Sequence, residues 1–213
     1  MMEHQHDDIK IGSPAELVFR RIIEHHKKIK TLTVFTYDLH INSDDELQAV
    51  GMRPMRRKDL HYDGLRRWSD QNHQIVREEN DEVGQEKEFG MAIASVVRMY
   101  DGSIKHIPML DFASRSKFRS ILNPRRISNI LRPFPGFLLE TGDSLHFWGI
   151  NLLSPRRWEK FLTFANDKFS DDEIDRSFIE FSQRRHFSGL RIYNYGDVKR
   201  TSPYVVAKIG ISN

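Results

Sequence analysis

The dipeptide Asp101-Gly102 lies between two runs of strand-forming residues, 91–100 and 103–111. Asp-Gly accepts the positive φ angles of a tight turn, so the pattern predicts an antiparallel hairpin. A hairpin at mid-chain commits the chain to antiparallel sheet. That fits an α+β fold better than a doubly wound parallel one. The β-branched and aromatic run at 31–41 predicts another strand, and 137–141, 144–150, 189–193 and 204–209 read the same way.

Helix starts are interspersed with these strands. Ser13-Pro14-Ala15-Glu16 has the form of a capping box with proline at the first helical position, followed by Leu17, Phe19, Ile22 and Ile23. Ser154-Pro155 predicts a helix with Trp158, Phe161, Leu162 and Ala165 at i, i+3, i+4, i+7. Ser170-Asp171-Asp172-Glu173 repeats the capping-box form ahead of Ile174, Phe178 and Phe181. The charged stretch 44–88 predicts helices around 54–80. With no repeat and no Pro/Gly/Ser linker, the expectation is one α+β domain over 1–213, with approximate lobes 1–90 and 91–213.

None of the 213 residues is cysteine, which excludes disulfides, thiolate zinc sites and cysteine nucleophiles. His4, His6 and the pair His25-His26 read as surface histidines rather than metal ligands. No signal segment or bilayer-length apolar run occurs, so a cytoplasmic protein without a membrane partner is expected. Lys and Arg outnumber Asp and Glu by only 33 to 30, yet the charge is uneven. From Phe112 to Leu139 there is no acid, while Arg115, Lys117, Arg119, Arg125, Arg126 and Arg132 all fall there. Such a segment suits phosphates or a nucleic-acid backbone; a solvated helix face is the simpler account.

Four short constellations could carry chemistry. In Ile107-Pro108-Met109-Leu110-Asp111-Phe112 an aspartate ends an apolar strand, where a metal-binding carboxylate can be held rigidly or a strand simply capped. In Ser144-Leu145-His146 strand alternation puts a hydroxyl and an imidazole on one face, able to donate to phosphate or to satisfy a buried backbone. No nucleophile elbow is present. Asp175 follows Ile174 near a helix start, where a carboxylate is stabilised by the dipole. Last, Arg191, Tyr193 and Tyr195 share a strand face before Lys199 and Arg200, a grouping that fits a triphosphate or a solvated edge strand.

The order of these motifs resembles the archaeo-eukaryotic primase-polymerase superfamily, and in particular bacterial primase-like proteins with a single aspartate in the first motif. Leu110-Asp111-Phe112-Ala113, Ser144-Leu145-His146, Ile174-Asp175, Leu190-Arg191-Ile192-Tyr193 and Lys199 follow in the family's sequence, over roughly residues 100–205. The resemblance implies an RRM-like catalytic unit with a smaller N-terminal α/β unit. It also implies Asp111 and Asp175 as ligands of Mg or Mn and as catalytic groups together with His146. Ser144, His146, Arg191 and Lys199 would contact the triphosphate. Arg115, Lys117, Arg119, Arg125 and Arg126 would then line a groove for DNA or RNA.

Ala113 departs from that pattern, because it stands where a second acid is expected and cannot bind metal. Two-metal transfer needs several anionic oxygens, so one cation carried in with the nucleotide is the simpler expectation, unless Asp143 or Asp197 substitutes. The functional expectation is a nucleotidyltransferase of primase/polymerase type using NTP or dNTP, in replication, repair, a mobile element or defence. The alternative is a depleted module binding nucleotide or nucleic acid for a partner protein.

Overall fold

The computed structural model describes residues 9–38, 49–56, 89–113, 122–142, 144–194 and 202–211. In chain order these form α1 (Ala15–His25), β1 (Ile29–Asp38), β2 (Ala49–Arg56), β3 (Phe89–Met99), β4 (Ile104–His106) and β5 (Met109–Asp111). Then come α2 (Pro124–Ile130), β6 (Gly136–Glu140), β7 (Leu145–Gly149), α3 (Pro155–Lys168), α4 (Arg176–Arg185), β8 (Gly189–Asn194) and β9 (Tyr204–Ile209). The fold is mixed α+β, with every observed strand pairing antiparallel.

Two sheets result. In the first, β2, β1 and β3 run side by side, and β3 is long enough to pair β8 along its first half and β4 along its second. The second has the order β5-β7-β6-β9. The turn at Asp101-Gly102 closes the predicted hairpin: Gly102 has φ +82°, and the Met99 N–H donates to the Ser103 carbonyl at 2.9 Å. Its second arm is not one strand, as 103–111 predicts, but breaks at Ile107-Pro108. Ile107 still donates to Ser95 of the first sheet at 2.8 Å, while the Pro108 carbonyl accepts from Gly149 of the second at 2.8 Å. Proline has no N–H for a ladder, so the chain changes sheets there.

The second sheet is buried on both faces. Leu110, Leu145 and Phe147 face α2, α3 and α4 through Ile127, Trp158, Phe161, Leu162 and Ile179. Met109, Phe137 and Trp148 face α1 and the first sheet through Phe19, Ile22, Leu32 and Ile93. Trp158 and Phe161 are each only 1% exposed, and burying such side chains contributes roughly 1.5–3 kcal/mol apiece.

The helix-start predictions fare differently. α3 begins as predicted, with Ser154 capping Arg157 and Pro155 in the first turn. At α1 the capping box does not form. Pro14 occupies the cap with no side-chain bond, and the Ser13 hydroxyl accepts the Lys10 N–H instead. Neighbouring chain holds that end: Ala15 N–H reaches the Pro203 carbonyl at 2.8 Å, and Pro14 bridges to Tyr204. Ser170–Glu173 closes a single turn, and α4 starts later with Asp175 as its cap. Of the helices predicted around 54–80, residues 54–56 instead end β2, held by pairing to Thr33 and Thr31; the remainder lies outside the described residues. Among the described residues no helix is long and apolar enough to cross a membrane.

Candidate functional site

Asp111 ends β5 and pairs in register with His146 of β7. Ser144, just ahead of β7, donates its hydroxyl to Asp111 Oδ1 at 2.9 Å, and His146 Nε2 stands 3.5 Å from the same oxygen. The turn before Ser144 is fixed from both sides. Ser144 N–H donates to Thr141 Oγ1 and the Thr141 hydroxyl to the Ser144 carbonyl, each at 3.0 Å, while Gly142 takes φ +91°. Leu145 and Phe147 point into the helical layer, which directs His146 to the opposite face as strand alternation predicts.

Asp175 is brought in by main chain. Its N–H donates to the Asp111 carbonyl at 3.1 Å, Phe112 bridges Ile174, and Ala113 N–H donates to the Glu173 carbonyl at 3.0 Å. This short antiparallel ladder fixes the first and third motifs to each other. The Asp175 carboxylate accepts the Phe178 N–H at 3.1 Å, so its helix-cap role is real. Arg191 crosses from β8 in the first sheet, donating from Nη2 to the Thr141 carbonyl at 3.2 Å.

The electrostatics follow from this crowding. Burial, then the nearby charge of Asp175, push the Asp111 carboxyl up to about 7, against the Ser144 hydrogen bond and Arg191. Burial, then Arg191, push the His146 imidazole down to about 3. His146 is therefore neutral at neutral pH, and its approach to Asp111 is a contact with a neutral ring rather than an ion pair. His146 Nδ1 and Arg191 Nε are buried without a hydrogen-bond partner among the described residues, which leaves donor and acceptor capacity beside the carboxyl.

Hydroxyl, imidazole and guanidinium around one carboxyl are groups that could serve phosphate oxygens, and Asp111 and Asp175 are the two carboxylates that could hold a cation. Among the described residues no group of three or more His, Asp or Glu is arranged to hold a metal ion. The donor set fits one cation completed by water and phosphate oxygens, not a protein-held pair.

The structure thus brings together Asp111, Ser144, His146, Asp175 and Arg191. Lys199, Arg115, Lys117, Arg119, Asp143 and Asp197 lie outside the described residues. Arg125 is exposed in the first turn of α2. Its neighbour Arg126 is engaged: Nε and Nη2 donate to the two Glu173 carboxylate oxygens at 2.6 and 3.2 Å. Glu173, only 4% exposed, is a site-supporting residue that sequence reasoning assigned to a helix cap. The available signal was an acidic cluster far along the chain from an acid-free cationic segment.

A strand-end aspartate, a Ser-x-His strand and a helix-capping aspartate meeting in an antiparallel α+β body are the features of a primase-like protein. Residues 68–204 match the family described as archaeo-eukaryotic primase 1D-like, and the chain belongs to it. No curated protein and no solved structure matches the chain significantly.

Proposed function

We propose that this protein binds a nucleoside triphosphate with one divalent cation, Mg or Mn, and acts on or with DNA or RNA as a primase/polymerase-like nucleotidyltransferase. The observation that carries the reading is the convergence on Asp111: Ser144 at 2.9 Å, His146 at 3.5 Å, Asp175 through its N–H at 3.1 Å, and the field of Arg191. Ser144, His146, Arg191 and Lys199 take the phosphates. Asp111 and Asp175 would hold the cation, which would supply charge neutralisation to the phosphates. Arg125, with Arg115, Lys117 and Arg119, meets the nucleic acid. An RRM-like arrangement of the unit, one domain over the chain and a cytoplasmic setting complete the reading.

A second reading has its own observation. Ala113 offers no side-chain oxygen, and its N–H is already bonded to Glu173. A module that binds nucleotide or nucleic acid for a partner, without turnover, needs no second carboxylate.

Isothermal titration of a nucleoside triphosphate with manganese present tests both readings. Binding lost in Asp111→Ala and in His146→Ala supports the site, and cation-dependent incorporation of labelled nucleotide then separates enzyme from module. Wild-type protein that binds no nucleotide with any cation removes the first reading and leaves the second as a module for nucleic acid alone.

A further inference from the structure

The end of the second sheet away from Asp111 has a concavity of its own. Pro108, Pro133 and Pro135 wall a hollow of about 530 Å³ lined by Phe134, Phe161 and Leu152. A second hollow of about 510 Å³ shares Pro133 and continues past Ile130 and Phe164. Pro108 precedes β5 and Asp111 ends it, which separates this groove from the phosphate-binding residues by about 10 Å of strand.

The groove is cationic at its rim. Arg157 and Lys160 border the first hollow, Arg132 and Lys168 the second, and among the described residues no acid lines either. All four are exposed, and among the described residues none makes an ion pair. Arg157, Lys160, Phe164 and Lys168 recur at helical spacing along one flank of α3.

The walls limit what can occupy it. Phe134 packs on Phe161 at 4.8 Å and 65° and on Phe164 at 5.2 Å and 56°. The rings are engaged with one another, not set out as parallel platforms for stacked bases. The prolines have no N–H, and the Pro108 and Pro135 carbonyls already accept from Gly149 and Ile150 at 2.8 and 2.9 Å. An incoming strand would find little backbone to pair with. What remains is an open apolar groove bordered by positive charge, of ordinary ligand-site size.

We infer that this groove docks an acidic peptide segment of another protein. A Phe, Trp or Leu side chain enters between Phe134 and Leu152, and flanking Asp or Glu residues meet Arg157, Lys160, Arg132 and Lys168. The inference is independent of nucleotide binding.

Fluorescence anisotropy with the full chain tests it. The probes are short labelled peptides rich in Asp and Glu, each with one central Phe, Trp or Leu. The expected result is salt-sensitive binding, weakened about tenfold or more by joint Arg157→Glu and Lys160→Glu substitution and by Leu152→Asp. Neutralising the peptide to Asn and Gln abolishes it. Circular dichroism confirms that the variants stay folded. Failure of every peptide to bind the wild type overturns the inference, and so does binding indifferent to these changes. Oligothymidylate binding that the same charge reversal removes, with no peptide bound, assigns the groove to nucleic acid and also overturns it.

Discussion

Arg126 grips Glu173 with two donors, at 2.6 and 3.2 Å, and Glu173 in turn bonds Ala113 through its carbonyl. A cation on α2 therefore braces the ladder that holds Asp111 next to Asp175. Arg126→Ala is expected to lower the urea midpoint at neutral pH, with Arg126→Lys partly restoring it. Glu173 has its carboxyl held below the usual range, chiefly by Arg126. That stability is present above the ordinary carboxyl pKa and is lost as pH falls through the lowered one, so the mutational difference should shrink in acid. An equal midpoint at neutral pH would refute the brace.

Arg125 and Arg126 should separate in nucleic-acid binding. Arg125 is exposed, whereas Arg126 is committed to Glu173. Single-stranded nucleic acid should lose more affinity, and more salt dependence, in Arg125→Ala than in Arg126→Ala. Filter binding over a salt series reads this, and the reverse order would move the contact onto Arg126.

Asp111→Asn should stabilise the protein in a defined pH window. Burial beside Asp175 pushes the folded carboxyl up to about 7, from an ordinary value of 3.8. As pH rises from about 4 to about 7 the unfolded chain ionises while folded Asp111 keeps its proton, so wild type loses stability relative to the variant. A quarter of the side-chain surface, 26%, remains open to water. The expected gain above pH 7 is therefore about 1–3 kcal/mol, below the full value of such a separation. His146, pushed down to about 3, acts in the opposite direction between about 3 and 6.5 and is common to both proteins. Denaturation at pH 4 and pH 8 checks the sign.

Manganese-dependent nucleotide binding should strengthen with pH up to about 7 and flatten above, because the cation must displace the Asp111 proton. No step attributable to His146 should occur between pH 5 and 8, since its titration lies near 3. Calorimetry across pH would show a histidine inflection near 6 if this were wrong.

Gly136→Ala should destabilise by about 1–3 kcal/mol or more. Its added Cβ would lie 2.4 Å from the Trp148 carbonyl oxygen and 2.6 Å from Phe147 Cε2, and neither can yield within the second sheet. Thermal unfolding would reveal it.

Much of this site was legible in the sequence because strand alternation and motif order are local properties. Ser144 and His146 were placed on one face by a period of two, and Asp111 at a strand end by its apolar run. What escaped depends on contacts made across the chain. The split of 103–111 into β4 and β5 follows from which sheet each half finds, not from any residue before Pro108. Ser13 lost its capping role to strand contacts with Pro203 and Tyr204. Glu173 keeps the capping-box bond, accepting the Ser170 N–H at 3.0 Å, but nothing local announces that the same carboxylate also takes an arginine 47 positions earlier.

Ala113 enters the fold through its N–H, a group every residue but proline possesses. Selection can therefore change the side chain there at little architectural cost. The joint between Asp111 and Asp175 is thus written in main chain, and it survives whatever side chain stands at 113.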